Sequence, residues 1–105
     1  MDKTRVISAY WHDDPAHAWL AVKRIWLDKL GIADKTSIYS YQRGDTVYLE
    51  EDLDAERFIK ESMTQGYNLT YKPCRRYSRS ERNKPSRVRS YDRYLPTLAS
   101  NNVNL

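Results

Sequence analysis

The sequence predicts an α+β fold: a mainly antiparallel sheet of about five strands in the order ββαββαβ, two helices on one face, and a basic C-terminal extension. Two observations carry the fold. Short β-branched and aromatic runs recur along residues 4–72, and two stretches of helical period interrupt them. A third observation sets the extension apart. Residues 1–70 hold nine Lys/Arg against twelve Asp/Glu, whereas residues 71–94 hold nine against two, so the net charge of +4 hides a slightly acidic body and a strongly basic tail.

Residues 4–11 are β-branched and aromatic and read as a first strand. Residues 12–16 form a turn, because Asp13 and Asp14 initiate turns and Pro15 fixes φ. Residues 17–22 resume the extended pattern. A short helix over residues 23–30 follows, with apolar positions at Val22, Ile25, Trp26, Leu27 and Leu30, and Gly31 ends it. Residues 37–42 and 46–50 then flank Arg43, Gly44 and Asp45, a hairpin signal in which Gly44 is free to take positive φ. Tyr39 and Tyr41 lie on one face of its first strand, with Ile38, Ser40 and Gln42 on the other.

Asp52 is the expected cap of a second helix over residues 53–65. Its apolar stripe is Ala55, Phe58, Ile59, Ser62 and Met63. Glu50, Glu51, Asp52, Asp54 and Glu56 crowd the helix start, where the macrodipole favours them. After Gly66, residues 67–72 alternate Tyr67, Leu69 and Tyr71 inward, giving a fifth strand. From Pro73 the pattern collapses. Residues 77–86 lack aliphatic side chains and read as a flexible linker, residues 87–95 carry enough apolar content to dock as an edge strand or short arm, and the last ten residues read as frayed. The division is a compact domain over 1–72 and a partly flexible Tyr/Arg-rich extension over 73–105.

Bulk composition narrows the classes. Cys74 is the single cysteine, which excludes an intrachain disulfide framework and a multi-cysteine zinc site, and a reducing, cytoplasmic setting follows. The charged start at Asp2, Lys3 and Arg5 is unlike a secretory leader, and no run is long and apolar enough for a membrane span, so no membrane partner is expected.

His12, Asp13, Asp14 and His17 are the one cluster of ligand-type residues. Two imidazoles and a carboxylate suit a divalent metal, so His12, Asp14 and His17 are weak metal candidates. A turn and sheet edge use the same residues for local hydrogen bonds. A metal-dependent hydrolase would pair those histidines with Glu50, Glu51 or Asp52. Cys74, beside Arg75 and Arg76, has a setting that lowers a thiol pKa. There is no Gly-rich phosphate loop and no nucleophile elbow. No catalytic set and no cofactor are assigned, and the balance leans away from an enzyme.

The extension is the stronger feature. Arg75, Arg76, Arg79, Arg82, Arg87, Arg89 and Arg93 interleave with Tyr77 and Tyr91, a composition suited to phosphate contacts and base stacking. An acidic protein surface is the rival partner, and a solvated or self-wrapping tail is the plain structural reading. Tyr39, Tyr41, Tyr48, Tyr67 and Tyr71 form a candidate ladder across the sheet, read here as cross-strand packing.

Residues 17–22 (HAWLAV), 30–32 (LGI) and 39–52 (YSYQRGDTVYLEED), together with Arg89, Ser90 and Tyr91, resemble a group of small, largely uncharacterised proteins of bacteriophages, plasmids and integrated elements. The resemblance covers about half the chain. It implies a mobile-element accessory protein and brings no catalytic residues. The expected function is nucleic-acid binding through the basic segment, the alternative an anti-defence inhibitor of the anti-CRISPR kind docking on a host complex. A homodimer through an exposed strand or tail also fits.

Overall fold

The computed structural model describes residues 5–73 and 85–96. Its elements are β1 (Val6–Asp13), β2 (Ala18–Lys23), α1 (Arg24–Leu30), β3 (Tyr41–Arg43), β4 (Thr46–Glu50), α2 (Asp54–Thr64), β5 (Asn68–Pro73) and β6 (Asp92–Arg93), with 3-10 turns at Ala33–Lys35 and Arg87–Ser90. The sheet has six strands in the order β5-β1-β2-β4-β3-β6. Four of its five pairings are antiparallel, and β1 with β5 is parallel. The parallel pair has a simple cause. β4 runs with β1, and α2 carries the chain back so that β5 enters in that same direction, as a helical crossover does.

One face of the sheet is the main core. Ile7, Ala9, Leu20, Val22, Val47 and Leu49 bury there against Leu27 and Leu30 of α1 and Ala55 and Phe58 of α2. Both helices therefore lie on one face, as the periodicity requires. Gly31 ends α1 at φ 77°, donating to the Asp28 carbonyl at 3.1 Å while Ile32 donates to Leu27 at 2.9 Å. Arg5 closes the far end of α2, its guanidinium donating to the carbonyls of Gln65 and Gly66, where a cation suits the negative end of the dipole.

Three local expectations are corrected. Asp52 does not cap α2, whose N-cap position is Leu53; the Glu50 carboxylate instead ties down the turn that leads into the helix, accepting the N–H groups of Asp52 at 2.8 Å, Leu53 at 3.0 Å and Asp54 at 3.4 Å. The strand expected over residues 37–42 is reduced to Tyr41–Arg43, because Ser37 and Ser40 leave the ladder to bind buried Asp54. Asp54 Oδ2 accepts the Ser37 N–H at 3.0 Å and both serine hydroxyls at 2.6 Å. Met63, expected in the α2 stripe, is 67% exposed, whereas Tyr71 does face inward, opposite Ala9 and stacked on Trp11 at the rim of the core. The edge strand expected from the extension is present as the sixth strand of the sheet.

That strand belongs to an arm over residues 85–96. Tyr94 is 0% exposed and belongs to the main core. Its N–H donates to the Ser40 carbonyl at 2.9 Å and its hydroxyl to the Ala33 carbonyl at 2.5 Å. Arg24 and Gln42 bind the backbone of Leu95. Upstream, Val88 crosses to the opposite sheet face and buries against Trp19 and Tyr41. The compact body thus includes the arm, which docks as its apolar content suggests.

Candidate functional site

The face opposite the helices carries the aromatic and cationic side chains. Alternation along each strand places Tyr10 and His12 of β1, Trp19, Ala21 and Lys23 of β2, Thr46 and Tyr48 of β4, Tyr41 and Arg43 of β3, and Lys72 of β5 there. Register aligns them further. Lys72, Tyr10, Ala21, Tyr48, Tyr41 and Arg93 are successive Cα partners across all six strands, so a tyrosine row is closed by a cation at each end.

The arm lies over the β2, β4 and β3 part of this face. The Tyr91 ring tilts against Tyr48 at 5.1 Å, and His12 meets Tyr48 edge-on at 5.3 Å. Three arginines sit over rings: Arg43 over Tyr91 at 5.0 Å, Arg93 over Tyr41 at 4.6 Å and Arg89 over Trp19 at 5.3 Å.

Asp14, in the β1–β2 turn, latches the arm. Its Oδ1 accepts the Ala16 and His17 N–H groups at 3.0 Å, forming the turn itself. Its Oδ2 accepts Arg89 Nε at 2.6 Å and the Ser86 N–H at 2.8 Å. The Arg89 guanidinium holds the Asp14 carboxyl well below the usual carboxylate range, outweighing burial, with the backbone N–H groups assisting.

The metal candidates fall on this turn but do not converge. His12 packs on Tyr48, Asp14 is bound to Arg89, and His17 Nδ1 lies 3.6 Å from Glu51 Oε2 at the surface. Among the described residues no three His, Cys, Asp or Glu side chains gather so as to hold a metal ion. His17 and Glu51 are the one acid–base contact the hydrolase reading anticipates, and that reading has no nucleophile assigned to it. A recess along α2, lined by Leu53, Glu56, Arg57, Lys60 and Glu61, mixes both charge signs along one helix.

Of the binding residues expected in the extension, Arg87 and Arg93 are exposed, Tyr91 is half-buried, and Arg89 is committed to Asp14. Arg75, Arg76, Tyr77, Arg79 and Arg82 lie outside the described residues, as does Cys74. Their segment is joined to the sheet at Pro73, paired with Trp11 near the end of β1, and resumes at Pro85, one residue before the Asp14 contact; both junctions are at the β1–β2 turn end of the sheet.

Sequence reasoning missed Tyr10, Lys23, Arg43 and Lys72 as members of one surface. The available signal was the i, i+2 spacing of Tyr41 with Arg43, and of Ala21 with Lys23 around apolar Val22. The tyrosine ladder is also divided. Tyr41 and Tyr48 pair on this face, Tyr71 stacks on Trp11 and Tyr67 meets Trp26 edge-on on the helix side, and Tyr39 stands outside any strand.

Comparisons of the chain with models of known protein families, with curated proteins and with solved structures find no match. Among the described residues no helix is long and apolar enough to cross a membrane.

Proposed function

We propose that this chain is a non-enzymatic accessory protein of phage or mobile-element origin that binds nucleic acid electrostatically through its basic C-terminal segment. The observation that carries the reading is how the arm's charge is divided. Among the described residues, Arg89 alone of the arm's arginines pairs with one of the chain's own carboxylates. Arg87 is exposed in the arm, and Arg93 is exposed on the same face as Arg43, which suits contact with a phosphate backbone. Arg75, Arg76, Arg79 and Arg82 extend that charge by sequence.

Replacing Arg75, Arg76 and Arg79 together with Ala tests it. Each lost phosphate contact removes about 0.9 from the slope of log K against log salt on duplex DNA. Affinity is expected to fall equally across oligonucleotide sequences, with a correspondingly flatter slope. Unchanged affinity in a fluorescence-anisotropy titration removes the reading.

A second reading, an anti-defence inhibitor docking on a host protein, draws on a different surface. Ile38 and Tyr39 are 62% and 66% exposed, close to exposed Leu53 through the Ser37–Asp54 contact. Aromatic and aliphatic groups at such positions suit a protein interface. A pull-down from nuclease-treated host lysate separates the two: one stoichiometric protein retained favours the inhibitor, and loss of every partner favours nucleic acid.

A further inference from the structure

We propose that the tyrosine face of the sheet is a platform for single-stranded nucleic acid, with Tyr10 and the Tyr48–Tyr91 pair stacking bases and Lys23, Arg43, Lys72 and Arg93 holding phosphates. This deepens the reading above and rests on it. It extends base contact from the basic segment onto the sheet itself, and it selects single strands.

Three observations carry it. The first is exposure: Tyr10 is 45% exposed on a strand paired on both sides, and among the described residues the arm does not reach over it. Its neighbours on that face, Ser8, Thr70 and Lys72, are exposed too. The second is arrangement. The tyrosine row runs across the strands with Lys72 at one end and Arg93 at the other, and Lys23, Thr46 and Arg43 form a neighbouring row of Cα partners two residues along. Rows two residues apart are about 6.6 Å apart, so rings and cations lie side by side rather than mixed.

The third is charge complementarity. Glu50 is the one acidic strand residue on this face, and its carboxylate is turned away onto the start of α2. Asp45, in the hairpin turn, lies 3.4 Å from Lys23, but both side chains are largely exposed and such a pair exchanges readily for phosphate. Rings flanked by exposed cations, of which only Lys23 has a carboxylate partner among the described residues, match a polyanion whose bases are unpaired. Bases inside a duplex are stacked on one another and cannot reach a flat sheet.

The test uses the full chain and two labelled probes, a 20-nucleotide dT strand and a 20-base-pair duplex. Tyr10→Ala is expected to weaken binding to the single strand about tenfold and to leave duplex binding unchanged, whereas Tyr10→Phe retains single-strand affinity. In a second measurement, Tyr10→Trp fluorescence is expected to be quenched by the dT strand. If the wild-type chain binds dT and Tyr10→Ala binds it equally well with no quenching of the Trp variant, the platform is overturned while the electrostatic reading stands. Binding to neither probe overturns both.

Discussion

Asp14 does two jobs with one carboxylate. It builds the β1–β2 turn through Oδ1 and seats the arm through Oδ2. Its side chain is 1% exposed and Arg89 only 36%, so water competes weakly for the pair. Hydrogen bonds to a charged group contribute about 1.5–3 kcal/mol, so Asp14→Asn is expected to lower unfolding stability by about that much in urea titrations. The pH dependence has a definite sign. Because the folded carboxyl titrates below its unfolded value of about 3.9, its contribution is complete above that pH and fades as pH falls through and below it. The wild-type chain should therefore lose stability below about pH 4 more steeply than Asp14→Asn. Parallel curves would show that Arg89 does not hold the arm. Ser40 is the other pivotal residue, since its hydroxyl donates to Asp54 and accepts the Glu50 N–H at 2.9 Å. Ser40→Ala strands both groups and is expected to cost about 1–3 kcal/mol by thermal or chemical unfolding.

At the scale of elements, the arm completes the body. Tyr94→Ala empties a site in the main core and should cost about 3–5 kcal/mol, as large aromatic truncations do. Tyr94→Phe keeps the packing and loses only the hydrogen bond to Ala33, about 1 kcal/mol. If both variants unfold at the wild-type urea midpoint, the arm is not docked. A chain cut after Lys72 also loses Val88 and Tyr94, so charge substitutions probe the basic segment more cleanly than truncation does. Much of this scale was legible in the sequence. The order ββαββαβ followed from periodicity, and the hairpin turn at Gly44 was visible, although the loop is one residue shorter than expected because Arg43 pairs with Thr46. The long-range parts were not. The end of β4 delivers the Glu50 carboxylate to the N–H groups of the turn before α2, where Asp52 was expected to act, and β3 shortens because Asp54 attracts two serines from 14 and 17 residues away. Val88 and Tyr94 sit alone among cations, without a period to announce that they are core.

For the whole molecule, sheet order turns a sequence asymmetry into a spatial one. The acidic run from Glu50 to Glu56 stays at the start of α2, while the face opposite the helices collects Lys23, Arg43, Lys72 and Arg93 from four separate strands. The interleaving of arginine and tyrosine was visible in the extension. Its continuation across the sheet depends on β5 pairing with β1 and β6 with β3, which no local pattern specifies. The β5 edge remains open among the described residues, ending in Lys72 and Pro73, residues that discourage strand addition. The most direct measurement is the affinity of the full chain for a labelled oligonucleotide across a range of salt concentrations. Binding that weakens linearly on a log–log plot, by several powers of the salt concentration, is the result expected of a cationic segment displacing counterions. Absence of binding at low salt, or an affinity indifferent to salt, would contradict it.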